Sequence, residues 1–253
     1  MKPLYGLVAG ACAALVLISC AGNPPAPAAA ASNAPAPNST AANAAAPQPA
    51  DYAALAAQGG GQVYTLDPSA SRIRIYAFRG GRAAMAGHNH VLTAKDYTGS
   101  VFVPDKGMGD AHFDLKFPLD KLIVDDPKLR AETGGAFSTV LGEAAIAGTR
   151  EHMLGDRNLD AAHYPDVAIH SVSIAGELPR IVATVDVTMH GVTRQQLVPL
   201  DATVDGGQLK VSGAFALRQT DFGVHPYSVL GGLLAVQDEV AIEFTLIGKA
   251  AAS

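Results

Sequence analysis

The chain has 253 residues, of which 49% are hydrophobic and 16% charged, and its formal net charge is -5. This length is sufficient for one domain with a sizeable core. The acidic balance provides no cationic face for nucleic acid, which argues against a polyanionic partner.

The N-terminus has the pattern of an export signal. One early cation, Lys2, precedes an apolar run from Leu7 to Ile18. The run ends at residues Leu17–Cys20. These residues form a small-residue cleavage site that ends in cysteine and resembles the lipobox of bacterial lipoproteins. A transmembrane helix is the weaker interpretation, because the run falls short of the ~20 residues that span a bilayer. The sequence therefore predicts a signal peptide over residues 1–19 and acyl chains on Cys20.

Acylation at Cys20 predicts a mature protein that is anchored to a membrane surface without crossing it. By resemblance to lipoprotein sorting in diderm bacteria, Ala21 after the cysteine favours the outer membrane, with the protein facing the periplasm. Cys12 lies inside the apolar run and leaves with the signal. No disulfide is then possible within one mature chain.

A low-complexity segment follows the predicted lipidation site. From Ala21 to Ala50 the chain consists almost entirely of alanine, proline and asparagine, which cannot bury enough apolar surface to offset the entropy of ordering. We interpret residues 20–61 as a disordered tether. Residues 62–249 are then the folded domain.

The domain is dominated by alternation of apolar and polar residues, the pattern of strands with one buried face. In Asp110 to Phe117, for example, Phe113 and Leu115 alternate with polar neighbours, and in Ile181 to Met189, Val185 and Val187 do so. Similar strands are predicted at Val63–Leu66, Arg72–Phe78, Tyr97–Pro104, Val167–Ile174, Gln195–Val204, Leu209–Leu217 and Val240–Leu246. Turn signals such as Asp205-Gly206-Gly207 separate them.

These strands predict a mainly β fold, an eight-stranded antiparallel barrel of lipocalin-like size with one helical segment at about 136–155. A barrel of about eight strands is just wide enough to be filled by its side chains or to hold one small ligand. Small inward candidates such as Ala111, Ala183 and Gly213, together with the absence of tryptophan from the sequence, favour a cavity. A fully packed interior is the alternative. Alternation places Phe113, Leu115, Val185, Val187, Phe215 and Phe244 on the inner face.

The order of several segments resembles the YceI-like family. The segments are Tyr64–Ser71, Gly87–His90, Arg150–Leu154, Tyr164–Ser171, Val187–Arg194, Leu217–Val224 and Asp238–Ile242. The resemblance covers essentially all of residues 63–248. It implies a lipocalin-like periplasmic barrel that binds a long isoprenoid or another amphiphilic chain, with no catalytic activity.

Two histidines are the sharpest chemical feature of the domain. His88 and His90 are two residues apart, so on a strand they would point to the same face and could chelate a metal together. A catalytic zinc site needs three protein ligands, however, and the sequence offers no His-Glu-x-x-His or Cys-x-x-Cys motif. The favoured interpretation is that both histidines bind the backbone or a ligand headgroup at the barrel mouth.

Arg150 matches an arginine of the family's pattern and could contact a polar headgroup. The plainer alternative for Arg150 is a solvated ion pair.

No catalytic constellation emerges from the sequence. It lacks a Gly-x-Ser-x-Gly elbow and a phosphate-binding glycine loop, and the mature domain lacks a thiol. The leading hypothesis is a non-enzymatic, membrane-anchored barrel that carries or sequesters an isoprenoid such as a quinone or a polyprenyl chain, with no other cofactor. The alternatives are a metal-binding protein or metalloenzyme organised by His88 and His90, and a packed interaction scaffold.

Overall fold

The computed structural model describes residues 50–251 of the chain. The predicted signal peptide, Cys20 and most of the predicted tether lie outside the described residues. No helix among residues 50–251 is long and apolar enough to cross a membrane.

The described chain is built mainly of antiparallel strands. They are β1 (Gly61–Leu66), β2 (Arg72–Gly80), β3 (His90–Thr93), β4 (Thr98–Pro104), β5 (His112–Pro118), β6 (Ile123–Val124), β7 (Asp166–Glu177), β8 (Arg180–Met189), β9 (Val192–Asp205), β10 (Gln208–Arg218), β11 (Ser228–Val229) and β12 (Leu234–Ala250). The helices are α1 (Tyr52–Gln58), α2 (Pro127–Thr133) and α3 (Glu143–Leu154), and short 3-10 turns lie at Ala84–Ala86, Leu119–Lys121, Gly135–Phe137 and Gln219–Phe222.

Eight strands close into a barrel in the order β1, β4, β5, β7, β8, β9, β10 and β12, and β12 pairs back to β1. β12 is long enough to pair with β1 near its C-terminal end, at Tyr64 and Ala250, and with β2 along its N-terminal part. β3 and β6 extend the sheet beyond β2. The predicted mainly β antiparallel barrel is therefore confirmed.

Turn chemistry fixes the register of the hairpins. Between β8 and β9 both turn residues, His190 and Gly191, have positive φ angles of 53° and 71°. Gly206 and Gly207 do the same between β9 and β10, with φ angles of 55° and 78°. Two-residue turns of this kind match the twist of the flanking strands. Alternating residues of each strand consequently keep to one side of the barrel wall.

The predicted tether is wrong in its last part, because residues 52–58 form α1 on the outside of the barrel. Asp51 caps the helix by accepting from the N–H of Ala54 at 2.9 Å. The Tyr52 hydroxyl donates to Asp114 on β5 at 2.5 Å. Burial raises the pKa of Tyr52, and the hydrogen bond to the Asp114 carboxylate raises it further. The hydrogen bond from Tyr52 to Asp114 thus ties to the barrel a segment whose composition alone is typical of disorder.

The predicted helical segment begins later than expected. α3 starts at Glu143. Residues 135–137 form a short 3-10 turn instead, and residues 138–142 are not helical. Gly142, the residue before the helix, has extended backbone. α2 was not predicted; Asp126 caps it by accepting from the N–H of Leu129, and Pro127 occupies its first turn.

Candidate functional site

A cavity of about 340 Å³ lies inside the barrel. This volume falls within the ~300–1,000 Å³ range typical of small-molecule sites. Its wall is almost entirely aliphatic and aromatic, and the strands supply it through their inward-facing residues. On β5 these are Phe113, Leu115 and Phe117. The barrel is therefore hollow, as the small inward side chains indicated.

Polar side chains border the cavity at one end only. Antiparallel pairing places the ends of β5, β8 and β10 and the starts of β3 and β12 together there, and α3 lies at the same end. The polar lining residues are His90, Thr149, His152, Asn158, Gln219 and Tyr227. We call this end the polar end. The hairpins at the opposite end contribute apolar side chains such as Met108, Leu178 and Val204.

Most of the predicted lining residues border the cavity. These are His90, Phe113, Leu115, Val185, Phe215 and Phe244. Phe215 and Phe244 pair edge to face, with ring centroids 6.5 Å apart. Three predicted contact residues lie elsewhere: Val187, Arg150 and His88.

Val187 points inward and is 2% exposed, as is Val185 two positions earlier. It belongs to the packed core but not to the cavity lining. The alternation of residues correctly predicted that the Val187 side chain points into the barrel. Whether an inward side chain reaches the cavity depends on how the neighbouring strands fill the interior at that level.

Arg150 holds α3 in place. Its Nη1 donates to the carbonyl of Leu122 at 2.6 Å, and its Nη2 donates to the carbonyl of Asp120. Arg150 is therefore neither a lining residue nor half of a solvated ion pair. It fixes the helix that brings Thr149, His152 and other side chains to the polar end.

The two histidines do not share a strand, so the prediction that they project side by side is wrong. His88 is exposed in the loop before β3, and His90 is the first residue of β3. Within residues 50–251 no group of three or more His, Cys, Asp or Glu side chains is arranged to hold a metal ion. His90 and His152 both border the cavity, and neither belongs to such a group among the described residues.

His90 is instead part of a buried charged cluster. Its Nδ1 lies 2.5 Å from Oδ2 of Asp125, and Oδ1 of Asp125 lies 2.5 Å from Nη1 of Arg130. Asp125 is fully buried and Arg130 is 3% exposed. Arg130 also donates to the carbonyls of Asn89 and Thr139. We call His90, Asp125 and Arg130 the wall cluster, because it links α2 outside the barrel to a ring that faces the cavity.

Burial raises the pKa of Asp125. The hydrogen bond and charge attraction from His90, together with hydrogen bonds from the N–H of Val91 and from Arg130, outweigh this effect, so the net shift of the pKa is downward. Asp125 is therefore an ionised carboxylate at neutral pH. The sequence alone does not indicate this residue, because it lies 35 positions from His90 and meets it only through the pairing of β3 with β6.

Asn158 and Gln219 are two further residues that the sequence analysis did not single out. Both are buried, at 9% and 8% exposure, and both border the cavity. The Asn158 amide nitrogen donates to the carbonyl of His225 at 2.9 Å, and that of Gln219 donates to the carbonyl of Gln237 at 2.9 Å. The only available signal was the position of Gln219 in the bend after β10.

Removing the Arg150 contacts tests the role of this residue at the polar end. We expect Arg150→Ala to lower amide-hydrogen protection across residues 143–154 and to speed release of a bound hydrophobic probe. Each lost charged hydrogen bond costs about 1.5–3 kcal/mol at most, so the barrel itself should remain folded. The exposed Arg157→Ala is the control. Unchanged exchange in α3 of Arg150→Ala would contradict the assignment.

Residues 64–247 match the family model for the YceI-like domain, and the chain belongs to this family. Burkholderia cenocepacia BcnA has a similar structure, with a TM-score of 0.54 and 15% identity over 72% of this chain and 98% of BcnA. A Campylobacter jejuni YceI protein aligns with a TM-score of 0.46 and 11% identity over 64% of this chain and 85% of that one. No curated protein matches the sequence significantly.

Proposed function

We propose that this YceI-like protein binds a long isoprenoid or similar amphiphilic chain, of quinone or polyprenyl type, inside its barrel. The cavity carries the proposal: a volume of about 340 Å³ enclosed by apolar side chains from all around the barrel. Burial of each methylene contributes about 0.8 kcal/mol, so an apolar chain is held tightly with few polar contacts. The proposal assigns no catalytic step and no metal or other cofactor.

The position of the polar groups supports an amphiphile over a plain hydrocarbon. Polar lining residues are confined to one end, so a chain with one polar head has a single matching orientation. A hydrocarbon would leave the His90, Asn158 and Gln219 side chains facing an apolar occupant, which is costly for buried polar groups. The cavity therefore favours a head at the polar end and a tail towards the opposite hairpins.

Binding of defined chains to the purified domain tests this proposal. Isoprenoid alcohols of increasing length should displace a fluorescent hydrophobic probe with affinity that rises with each added isoprene unit and then levels off when the cavity is full. They should also raise the melting temperature in proportion to the logarithm of free ligand. Absence of displacement at every length would overturn the proposal.

The proposal places the protein on the periplasmic side of the outer membrane, held through acylated Cys20, where it carries or sequesters its ligand. We expect Cys20→Ser to shift the protein from the membrane fraction to the soluble periplasm, or to leave an unprocessed precursor. Acyl chains supply the anchoring free energy, and serine cannot receive them at this site. Fractionation with immunoblotting provides the measurement. A processed Cys20→Ser protein that still requires detergent for release would contradict the anchor.

A further inference from the structure

Three loops at the polar end carry the most exposed large apolar side chains of residues 50–251. These side chains are Val140, Met85 and Leu230, at 91%, 81% and 74% exposure. We call the three loops the rim loops; they are residues 81–88, 138–142 and 226–233. We infer that the rim loops contact a lipid bilayer directly, in addition to any acyl anchor, and that the cavity exchanges its ligand with the bilayer at this contact.

Hydrogen bonds hold the rim loops side by side. The N–H of Ala83 in the first loop donates to the carbonyl of Leu233 in the third, at 2.9 Å. Arg130 brings in the second loop: its Nε donates to the carbonyl of Thr139 at 3.0 Å, and its Nη1 donates to the carbonyl of Asn89 at 2.8 Å. Asn89 directly follows the first loop in the chain. The three loops therefore form one edge of the polar end, beside the end of β2 and the start of β3.

The third rim loop also borders the cavity. Tyr227 lines the cavity and is 38% exposed, so this side chain reaches from the interior to the surface. Its ring contacts the ring of His152 on α3, with centroids 4.7 Å apart. No residue of α3 is buried, although three of its side chains line the cavity. A long chain can pass between Tyr227 and α3 with little loss of buried contacts.

The charge of the rim loops matches a bilayer surface. None of the three loops contains Asp or Glu, and their one formal charge is the exposed Arg82. Acidic residues nevertheless outnumber basic ones in the whole chain by 23 to 18, and at the polar end Asp156 and Asp221 lie on other segments. Apolar side chains beside a cation bind the interface of a bilayer that contains anionic lipid, which repels carboxylates.

Leu230 is out of place as an ordinary turn residue. It has a positive φ angle of 52°, a left-handed conformation in which glycine, asparagine and aspartate are usual. Neither this backbone geometry nor hydration favours a leucine that is so exposed. The side chain therefore indicates a contact outside the protein.

The passage at Tyr227 favours a bilayer over a second copy of the chain. A second copy seated on the rim loops would cover the passage, whereas a bilayer is itself the phase in which an isoprenoid chain is dissolved. This step rests on the proposed function. The contact with the bilayer is measured without the ligand, so the contact and the proposed function can fail separately.

Single tryptophans test the contact, because the chain has no tryptophan of its own. Met85→Trp and Leu230→Trp place one reporter each in the rim loops. Leu197→Trp is the matched control, because Leu197 is 69% exposed on β9 and lies outside the rim loops. The full-chain variants are purified from their own cell envelope and reconstituted into phosphatidylethanolamine and phosphatidylglycerol vesicles whose acyl chains carry bromine.

We expect the emission of Met85→Trp and Leu230→Trp to shift to the blue and to be quenched by the brominated lipid, while Leu197→Trp keeps the emission of an exposed tryptophan. Absence of quenching in both rim-loop variants would overturn the inference. Equal quenching of all three variants would also overturn it, because the contact would then not be specific to the rim loops. A blue shift without quenching would assign the rim loops to a protein interface and would overturn the bilayer contact.

A transfer assay then tests the exchange of ligand. The double variant Met85→Asp, Leu230→Asp should release a bound fluorescent hydrophobic probe to unbrominated vesicles several-fold more slowly than the wild type, with unchanged affinity for the probe in solution. Retained affinity also shows that the variant is folded. Leu197→Asp should transfer the probe at the wild-type rate. An unchanged rate in the double variant would contradict exchange at the rim loops. A wild type that binds no probe would overturn the proposed function and the exchange, while the tryptophan measurement still decides the contact.

Discussion

Val185→Trp is expected to abolish binding of the apolar chain with little loss of stability. Val185 borders the cavity, so the added indole enters space that the ligand would otherwise fill. Val187→Trp provides a matched comparison: the residue type, strand and inward direction are the same, and both valines are 2% exposed. Val187 packs in the core without bordering the cavity, so the larger side chain should cost about 1–3 kcal/mol or more.

The measurement is urea unfolding of both ligand-free variants together with probe displacement. A hollow barrel predicts opposite results for the two variants. Val185→Trp should keep the wild-type unfolding midpoint but no longer bind the probe. Val187→Trp should unfold at a lower urea concentration than the wild type. Equal and large destabilisation of both variants would show that the interior around Val185 is as tightly packed as the interior around Val187.

Arg130→Ala is expected to lower the stability of the protein more than either tryptophan substitution. Arg130 and Asp125 form a buried ion pair at 2.5 Å, and removal of one partner leaves an uncompensated buried charge that costs about 3–5 kcal/mol. Glu132→Gln is the control on the same helix. Glu132 pairs with Arg74 at 3.2 Å but is half exposed, so its loss should cost less than about 1 kcal/mol. Comparable unfolding midpoints for Arg130→Ala and Glu132→Gln would contradict the role of the wall cluster.

The same cluster predicts a pH dependence. The pKa of Asp125 is lower in the folded protein than its unfolded value of about 3.9, so its contribution to stability is fully present above that pH. It is lost as the pH falls through the lowered folded value. The stability advantage of the wild type over Asp125→Asn should therefore be constant near neutral pH and shrink below about pH 4. Urea titrations at a series of pH values measure it, and a difference independent of pH would refute the assignment.

Local pattern was sufficient to predict the barrel. Strand alternation in Asp110 to Phe117 and the Asp205-Gly206-Gly207 turn are properties of neighbouring residues, and both are confirmed. β3 and β6 were missed because each is short and gains its order from pairing with strands distant in sequence. α2 was missed although its Asp126 cap and Pro127 are local signals. The structured residues 50–61 were missed for the same reason as the two strands, since Tyr52 depends on Asp114.

The candidate site was less predictable than the fold. Inward faces follow from alternation, which correctly placed Phe215, Phe244 and Val185 at the cavity. Alternation cannot separate Val185 from Val187, because the filling of the barrel at each level depends on all the strands around it. The orientations of the amide groups at the polar end depend on which backbone carbonyls meet Asn158 and Gln219, and those partners lie 67 and 18 residues away.

Native mass spectrometry of the protein purified from its own cell envelope tests the central claim most directly. The protein should carry a copurifying apolar species at near-stoichiometric level, and organic extraction should identify it as an isoprenoid or a similar amphiphilic chain. The Val185→Trp protein from the same envelope should lack it. A wild-type protein that is reproducibly ligand-free and does not bind a hydrophobic probe would contradict the account, because the cavity would then hold no chain.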